Sequence, residues 1–295
     1  MKLPFGKRKT GTTRASVYIR PQLVQIITSH KPDRLFEQAV NSQDEWASAI
    51  EALAKEVRLE RQSEIVVILS SQLYQQLQVE KPSVPDEELA SAVPWAIKDM
   101  VAESVTDLVV DYYDAPTPPM GGAKLNVVCV RRPLIQRLVD CFQHNGWALT
   151  GITTESLAVA SAEAPSEHCL MLVWQVTGSE LELLVLKDGQ IFFSRHLRAF
   201  SRIAQLQEIE FSQDYFDSLS LELQRSIDFI TASLKQPDVS QIHLSLPTRF
   251  GDHIVELLQA NLSAKVSLLE HAHISEPEQF DHLPLLGALQ SEVLP

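Results

Sequence analysis

Residues 15–30 read ASVYIRPQLVQIITSH. β-Branched and apolar residues dominate both ends, and Pro21 interrupts them with a residue that cannot donate to a strand ladder. The stretch therefore predicts two strands joined by a tight turn at Arg20-Pro21-Gln22. Residues 34–40 supply a third strand. Asp44–Leu59 then places Trp46, Ile50, Leu53 and Val57 at i, i+4, i+7 and i+11, which is helical spacing. Glu64–Ser70 contains IVVIL, a short run suited to a strand covered on both faces. Leu73–Val79 reads as another strand.

Further along, Pro85 suits a first helical turn, and Asp86, Glu87 and Glu88 sit on its positive dipole end. That helix carries Leu89, Val93, Ile97 and Met100 on one stripe, and Pro94 is expected to kink or divide it. Val105–Tyr113 and Leu125–Arg131 read as strands flanking an exposed loop, DAPTPPMGG, at 114–122. A helix over Pro133–His144 stops at Asn145-Gly146. A strand (Trp147–Thr153) and a small-residue helix (Glu155–Ala162) follow, then a boundary at EAPSE, 163–167.

The second half starts the same way. Three short strands, Cys169–Val176, Glu180–Leu186 and Gln190–Leu197, include an Asp188-Gly189 hairpin turn. A long helix over Ser212–Leu234, a strand (Gln241–Leu246), a helix (Gly251–Asn261), a strand (Val266–Leu269) and a last helix near Leu283–Gln290 complete it. Both halves thus open with antiparallel strands and then alternate helices with single buried strands. The expected organisation is a tail (1–14), a first lobe (15–163) with an inserted subdomain around 81–131, and a second lobe (168–295) with a reduced insertion. This is the layout of an α/β, actin-like (RNase H-like) duplicated fold.

Composition narrows the function classes. Apolar residues make up 45% of 295, enough for a large core, so wholesale disorder is excluded. The net charge of −13 argues against sequence-independent nucleic-acid binding, which needs clustered cations. Met1–Arg14 departs from this trend: Lys2, Lys7, Arg8, Lys9 and Arg14 stand there without an acid, leaving about −18 on the rest. Such a tail suits either solvent or an anionic membrane surface. No apolar run reaches the ~18 residues of a spanning helix, and nothing resembles a secretory signal. Cys129, Cys141 and Cys169 read as reduced thiols.

Several segments together resemble PilM, the actin-like cytoplasmic family of type IV pilus assembly. They are EELASAVPWA (87–96) with the strand DLVVDYY (107–113), the run from Arg132 to Ala160, the hairpin KDGQIFFSR (187–195), the helix ELQRSIDFI (222–230) and the closing helix at 283–289. Within that family the sequence looks closest to the MSHA pilus (MshI) branch. The resemblance implies a non-catalytic scaffold at the cytoplasmic face of an inner membrane. It would bind the tail of a PilN-like membrane partner and link it to an assembly ATPase or platform. Trp95, Val109, Asp111 and Tyr113 are the candidate partner contacts; the last three share one strand face.

The departures from actin-like nucleotide binders are as informative. Where such proteins place an acid and glycines in the first hairpin, this chain has Tyr18-Ile19-Arg20-Pro21-Gln22. The second phosphate loop reads Trp174-Gln175-Val176-Thr177-Gly178, leaving Gly178 and Ser179 as the remaining candidate anion contacts. The adenine-side loop reads Ser245-Leu246-Pro247-Thr248-Arg249 and lacks a Gly-Gly pair, and the segment from Arg198 to Ser212 is short. No ATP, magnesium or other cofactor is expected. Two rival readings are a true ATP binder whose occupancy closes the lobes, and a GspL-like type II secretion module. The GspL class continues into a membrane helix, and no such run follows here.

Other constellations favour structural roles. His271-Ala272-His273 has metal-like spacing but no third ligand. His168 and Cys169 point to opposite faces of a strand. Glu222 and Arg225 form an i, i+3 ion pair beside Asp228. Gly121-Gly122 lacks the helix of a phosphate loop. No catalytic or metal site is expected.

Overall fold

The computed structural model describes residues 13–116 and 122–291. The basic tail lies outside this range except for Thr13 and Arg14, and so do residues 117–121 of the predicted loop. The predicted opening hairpin is β1 (Arg14–Arg20) and β2 (Leu23–Thr28), with Val17 opposite Ile26. β3 (Lys31–Ala39) pairs antiparallel with β2. After α1 (Trp46–Glu56), β4 (Glu64–Leu69) lies parallel to β1, and its Ile65–Leu69 run is buried throughout. The IVVIL run thus fills the place its composition suits, covered on both faces.

β5 (Gln75–Glu80) leaves that sheet and pairs antiparallel with a strand fifty residues downstream. α2 (Asp86–Ala96), β6 (Leu108–Ala115) and β7 (Lys124–Arg131) complete a three-stranded sheet of order β5-β7-β6 with one helix on it. This unit starts at Gln75, earlier than the 81 expected from sequence. Leu89, Val93 and Ile97 pack on Leu108, Leu125, Val127 and Cys129. Met100 does not join this stripe: α2 ends at Ala96, two residues after Pro94, so helical spacing no longer applies and Met100 is exposed. Pro94 falls in the last turn, where it ends the helix without dividing it.

α3 (Arg132–Asn145) stops at Gly146, whose φ of 70° is the left-handed cap. β8 (Ala148–Thr154) then runs parallel to β4, and α4 (Glu155–Ala160) follows directly. In the second half β9 (Leu170–Trp174), β10 (Leu181–Lys187) and β11 (Gln190–Leu197) form an antiparallel meander. Asp188 and Gly189 both take positive φ, the conformation a two-residue hairpin of this twist requires. α5 (Gln213–Ala232), β12 (Gln241–Ser245), α6 (Gly251–Gln259), β13 (Lys265–Leu268) and α7 (Leu283–Gln290) follow. The two five-stranded sheets have orders β3-β2-β1-β4-β8 and β11-β10-β9-β12-β13, the same topology twice.

The layers follow from which faces are apolar. α1 and α3 cover one face of the first sheet; α5 and α6 cover the outer face of the second. Between the sheets lie α4 and α7, packed against Tyr18, Ile68, Leu172, Trp174 and Leu184. α7 is buried on every side from Leu283 to Ala288, as an all-apolar helix must be. It returns to the first sheet, where the Ser16 hydroxyl donates to the Leu285 carbonyl at 2.9 Å. A Cβ on Gly287 would lie 1.8 Å from the Ala158 carbonyl oxygen of α4. Only glycine permits this backbone approach.

Gly287→Ala must therefore push two buried helices apart, and the cost is expected to reach ~3 kcal/mol or more. Gly122→Ala, which meets nothing within 4 Å, serves as the near-neutral control. Denaturant unfolding of both variants measures the difference; equal midpoints would contradict the packing described.

Candidate functional site

The cleft between the lobes is bounded by the β1–β2 turn, the β9–β10 turn and the segment leading into α7. Three residues join these pieces. Arg20, at the end of β1, donates from Nη2 to the Thr177 carbonyl at 2.7 Å. The Thr177 N–H donates in turn to Asp281 Oδ1 at 2.6 Å. Burial raises the Asp281 carboxyl, while the Thr177 N–H and the Arg20 charge oppose that rise. A backbone N–H that could face an anionic ligand is thus already occupied by a carboxylate from the chain itself, with a guanidinium beside it.

The candidate anion contacts are similarly engaged. Ser179 donates its hydroxyl to the Val176 carbonyl at 2.9 Å, and its own N–H bonds the same carbonyl at 3.0 Å. Gly178 has a φ of 79°, and a Cβ there would lie 3.4 Å from Arg20 Nη2. Gln175 follows β9 at the start of this turn. It is buried and staples the turn: Nε2 donates to the carbonyls of Ser179 (2.8 Å) and Ser201, and Oε1 accepts from the Ala204 N–H at 3.2 Å. Across the cleft, Thr248 Oγ1 accepts from the Phe250 N–H at 3.3 Å, and the Arg249 guanidinium lies over the Phe250 ring. The short segment after β11 folds as three 3-10 turns that bury Phe200, Ile203 and Leu206.

Beneath the turns lie two buried carboxylates that sequence reading did not single out. Glu155, the first residue of α4, accepts from the Tyr18 hydroxyl and from the Ser71 N–H at 2.8 Å. Glu182, on β10, accepts from the Ser156 hydroxyl at 3.0 Å. Each is 2% exposed. Burial, reinforced by the Glu155 charge, pushes the Glu182 carboxyl up to about 8, with the Ser156 hydroxyl pulling the other way. Burial and Glu155 also raise the Tyr18 phenol, which stays a donor. Glu155 reads in sequence as an ordinary helix start after the Thr154 cap. Glu182 had a signal: a lone acid in the apolar run LELLVL of β10.

The partner candidates separate onto two surfaces. Trp95 is 64% exposed, on the outer side of α2. Val109, Asp111 and Tyr113 lie on the opposite face of the three-stranded sheet, since the intervening Val110 and Tyr112 pack toward α2. Tyr113 accepts from Gln76 Nε2 at 3.2 Å and lines a cavity of about 340 Å³ shared with β11 and α5. The remaining constellations sit as follows. His271 accepts from the His273 N–H through Nδ1, and its Nε2 lies 2.7 Å from Gln290. Cys129, Cys141 and Cys169 are buried and unpaired. Glu222 bridges Arg225 at 2.5 Å and Arg195 at 2.6 Å, all within the second half.

Glu182 gives a pH prediction with a definite sign. Its folded value is raised from 4.5 to about 8, so the folded chain keeps a proton that the unfolded chain loses. That contribution is present in full below pH 4.5 and is lost as pH rises through 8. Glu182→Gln should therefore melt higher than the parent by a margin that grows from pH 5 to pH 8 and then levels. A margin independent of pH would show that Glu182 is ionised in the fold.

No protein-family model matches this chain, and no curated protein sequence does. Solved structures do. The PilM–PilN type IV pilus biogenesis complex superposes with a TM-score of 0.62 at 16% identity, covering 92% of this chain and 97% of that one. The cytoplasmic domain of EpsL, an inner-membrane component of the Vibrio cholerae type II secretion system, gives 0.54 at 16%, covering 95% and 96%. A Bacteroides thetaiotaomicron protein with an actin-like ATPase fold and unknown function gives 0.53 at 9%, covering 95% and 96%. Over nearly its whole length, the chain has the actin-like fold.

Proposed function

We propose that this protein is a non-catalytic scaffold of a type IV or MSHA-type pilus assembly system, working at the cytoplasmic face of the inner membrane. The observation that supports this reading is the Arg20–Thr177–Asp281 bridge, which engages donors in the cleft that an anionic ligand would need. A protein that keeps the two-lobed frame but closes its nucleotide site is left with its surfaces as functional assets. The similarity to the PilM–PilN complex supports a PilN-like partner, and the chain's shorter length and weak first strands favour the MSHA (MshI) branch. The inserted unit built on β5–β7 and α2 would receive the partner's tail, with Trp95 as the anchor, since exposed tryptophans commonly dominate binding energy. An assembly ATPase or platform would then meet the scaffold elsewhere. Among the described residues no helix is long and apolar enough to cross a membrane, so recruitment would run through the partner. The similarity to EpsL supports a second reading, a GspL-like type II secretion module, in which the same frame serves a secretion platform.

The test is binding of fluorescent peptides copied from the cytoplasmic N-termini of PilN-type proteins. One should bind, and Trp95→Ala should weaken it at least tenfold without moving the melting temperature, because the side chain is exposed. Absence of binding across the peptide set would remove the mechanism. Tight binding indifferent to Trp95 but lost in Tyr113→Ala would move the site to the other face of the sheet.

A further inference from the structure

Glu155 and Ser156 open α4 and bond in opposite directions. Glu155 accepts from the Tyr18 hydroxyl of β1 and from the Ser71 N–H, both in the first lobe. The Ser156 hydroxyl reaches the second lobe, lying 3.0 and 3.1 Å from the two carboxyl oxygens of Glu182 on β10. Two consecutive residues thus clip both sheets to one helix. Glu182 stands in register with Trp174 on β9 and His196 on β11, so the three form one row across the second sheet.

The inserted unit reaches the same point. Tyr74 leads into β5, and burial of its phenol, then the Glu155 and Glu182 charges, raise it. Burial pushes the Tyr113 phenol of β6 up to about 12; the Gln76 bond opposes that rise and the Glu182 charge adds to it. Both lobes and the inserted unit therefore meet around one carboxyl. The inserted unit is tied to the first lobe through α3, where Arg132 donates to the Thr106 and Leu108 carbonyls at 3.1 and 2.7 Å. Toward the second lobe it faces the 340 Å³ cavity. Among the described residues, no hydrogen bond or ion pair runs from 75–131 to 168–291.

Glu182 has two charge states with different consequences for this junction. Protonated, it meets Ser156 without adding charge beside Glu155. Ionised, it places a second negative charge across Ser156 in a buried seam, where repulsion is weakly screened. Burial, then Glu155, oppose that state and hold the carboxyl at about 8. The ionised form still has donors at hand. The Trp174 indole N–H is buried without a partner among the described residues. His196 is partly exposed and spans the rim, with Nε2 3.9 Å from Glu182 and Nδ1 3.7 Å from Glu180. Arg198 holds Glu180 from outside at 3.2 Å, and Arg20 stands 5.9 Å from the Tyr18 ring.

We propose that Glu182 is a proton-operated latch at this three-way junction: protonated, it holds α4 and the second sheet together; ionised, it repels Glu155 and lets the inserted unit swing on its α3 attachment relative to the second lobe. His196 carries the proton between Glu182 and solvent. The latch operates whichever partner the Trp95 face receives.

Dyes on Ala102→Cys in the inserted unit and Asp228→Cys on α5 test it by energy transfer. Both sites are exposed, and the native cysteines are buried. Transfer should change reversibly between about pH 7 and pH 9, at unchanged far-UV circular dichroism. Glu182→Gln keeps an uncharged partner for Ser156 and should hold the low-pH transfer throughout. Glu155→Gln should move the midpoint to lower pH, since it removes the charge that opposes ionisation. His196→Gln should slow the response to a pH jump about tenfold without moving its end point. Constant transfer in the parent, or a change that persists in Glu182→Gln, would overturn the latch. A response rate indifferent to His196 would overturn the proton route. No peptide enters the measurement, so its failure is distinct from failure of the tail-binding reading.

Discussion

The close approach of α7 to α4 governs the rest of the molecule. The missing Cβ of Gly287 lets one helix backbone reach the Ala158 carbonyl of the other, and the two helices together fill the space between the sheets. Packing at this density allows few alternative arrangements. It also fixes the cleft. Asp281 lies two residues ahead of α7, so seating that helix sets its carboxylate against the Thr177 N–H. The Ser16 bond to Leu285 holds the same helix to β1, whose last residue is Arg20. The bridge across the mouth is therefore a consequence of the seam beneath it.

That bridge has a clear electrostatic logic. An anion site needs free donors and positive charge. Here the donor is matched by Asp281, and Arg20 spends a donor on a carbonyl. The buried Glu155 and Glu182 carboxyls lie below, and Glu182 keeps its proton in the fold. The Tyr18 and Ser156 hydroxyls bond these carboxyls, as buried polar groups require.

Much of the fold was legible in the sequence. The 15–30 stretch, the IVVIL run and the Asp188-Gly189 turn each carry strong local signals, and they place both hairpins and the central strands. The repeated element order then gives the duplicated topology. What local patterns did not reveal were long-range pairings. β5 looks like any short strand, and only its ladder with β7 shows that it belongs to the inserted unit. Met100 continues a stripe on paper, yet the helix has ended. At the site, the absence of an acid and glycines near Arg20 was visible. The partner Asp281 was not, because it arrives from more than a hundred residues away. Trp95 and Tyr113 looked like one surface because strand and helix were read separately; the sheet between them puts them on opposite sides.

The central claim is that this actin-like frame has closed its own phosphate site. Calorimetric titration of the full chain with Mg-ATP tests it most directly. The account predicts no saturable heat up to millimolar nucleotide. A saturable isotherm with a dissociation constant of about 1 mM or tighter would contradict it, and would return the lobes to the role of a nucleotide-gated switch.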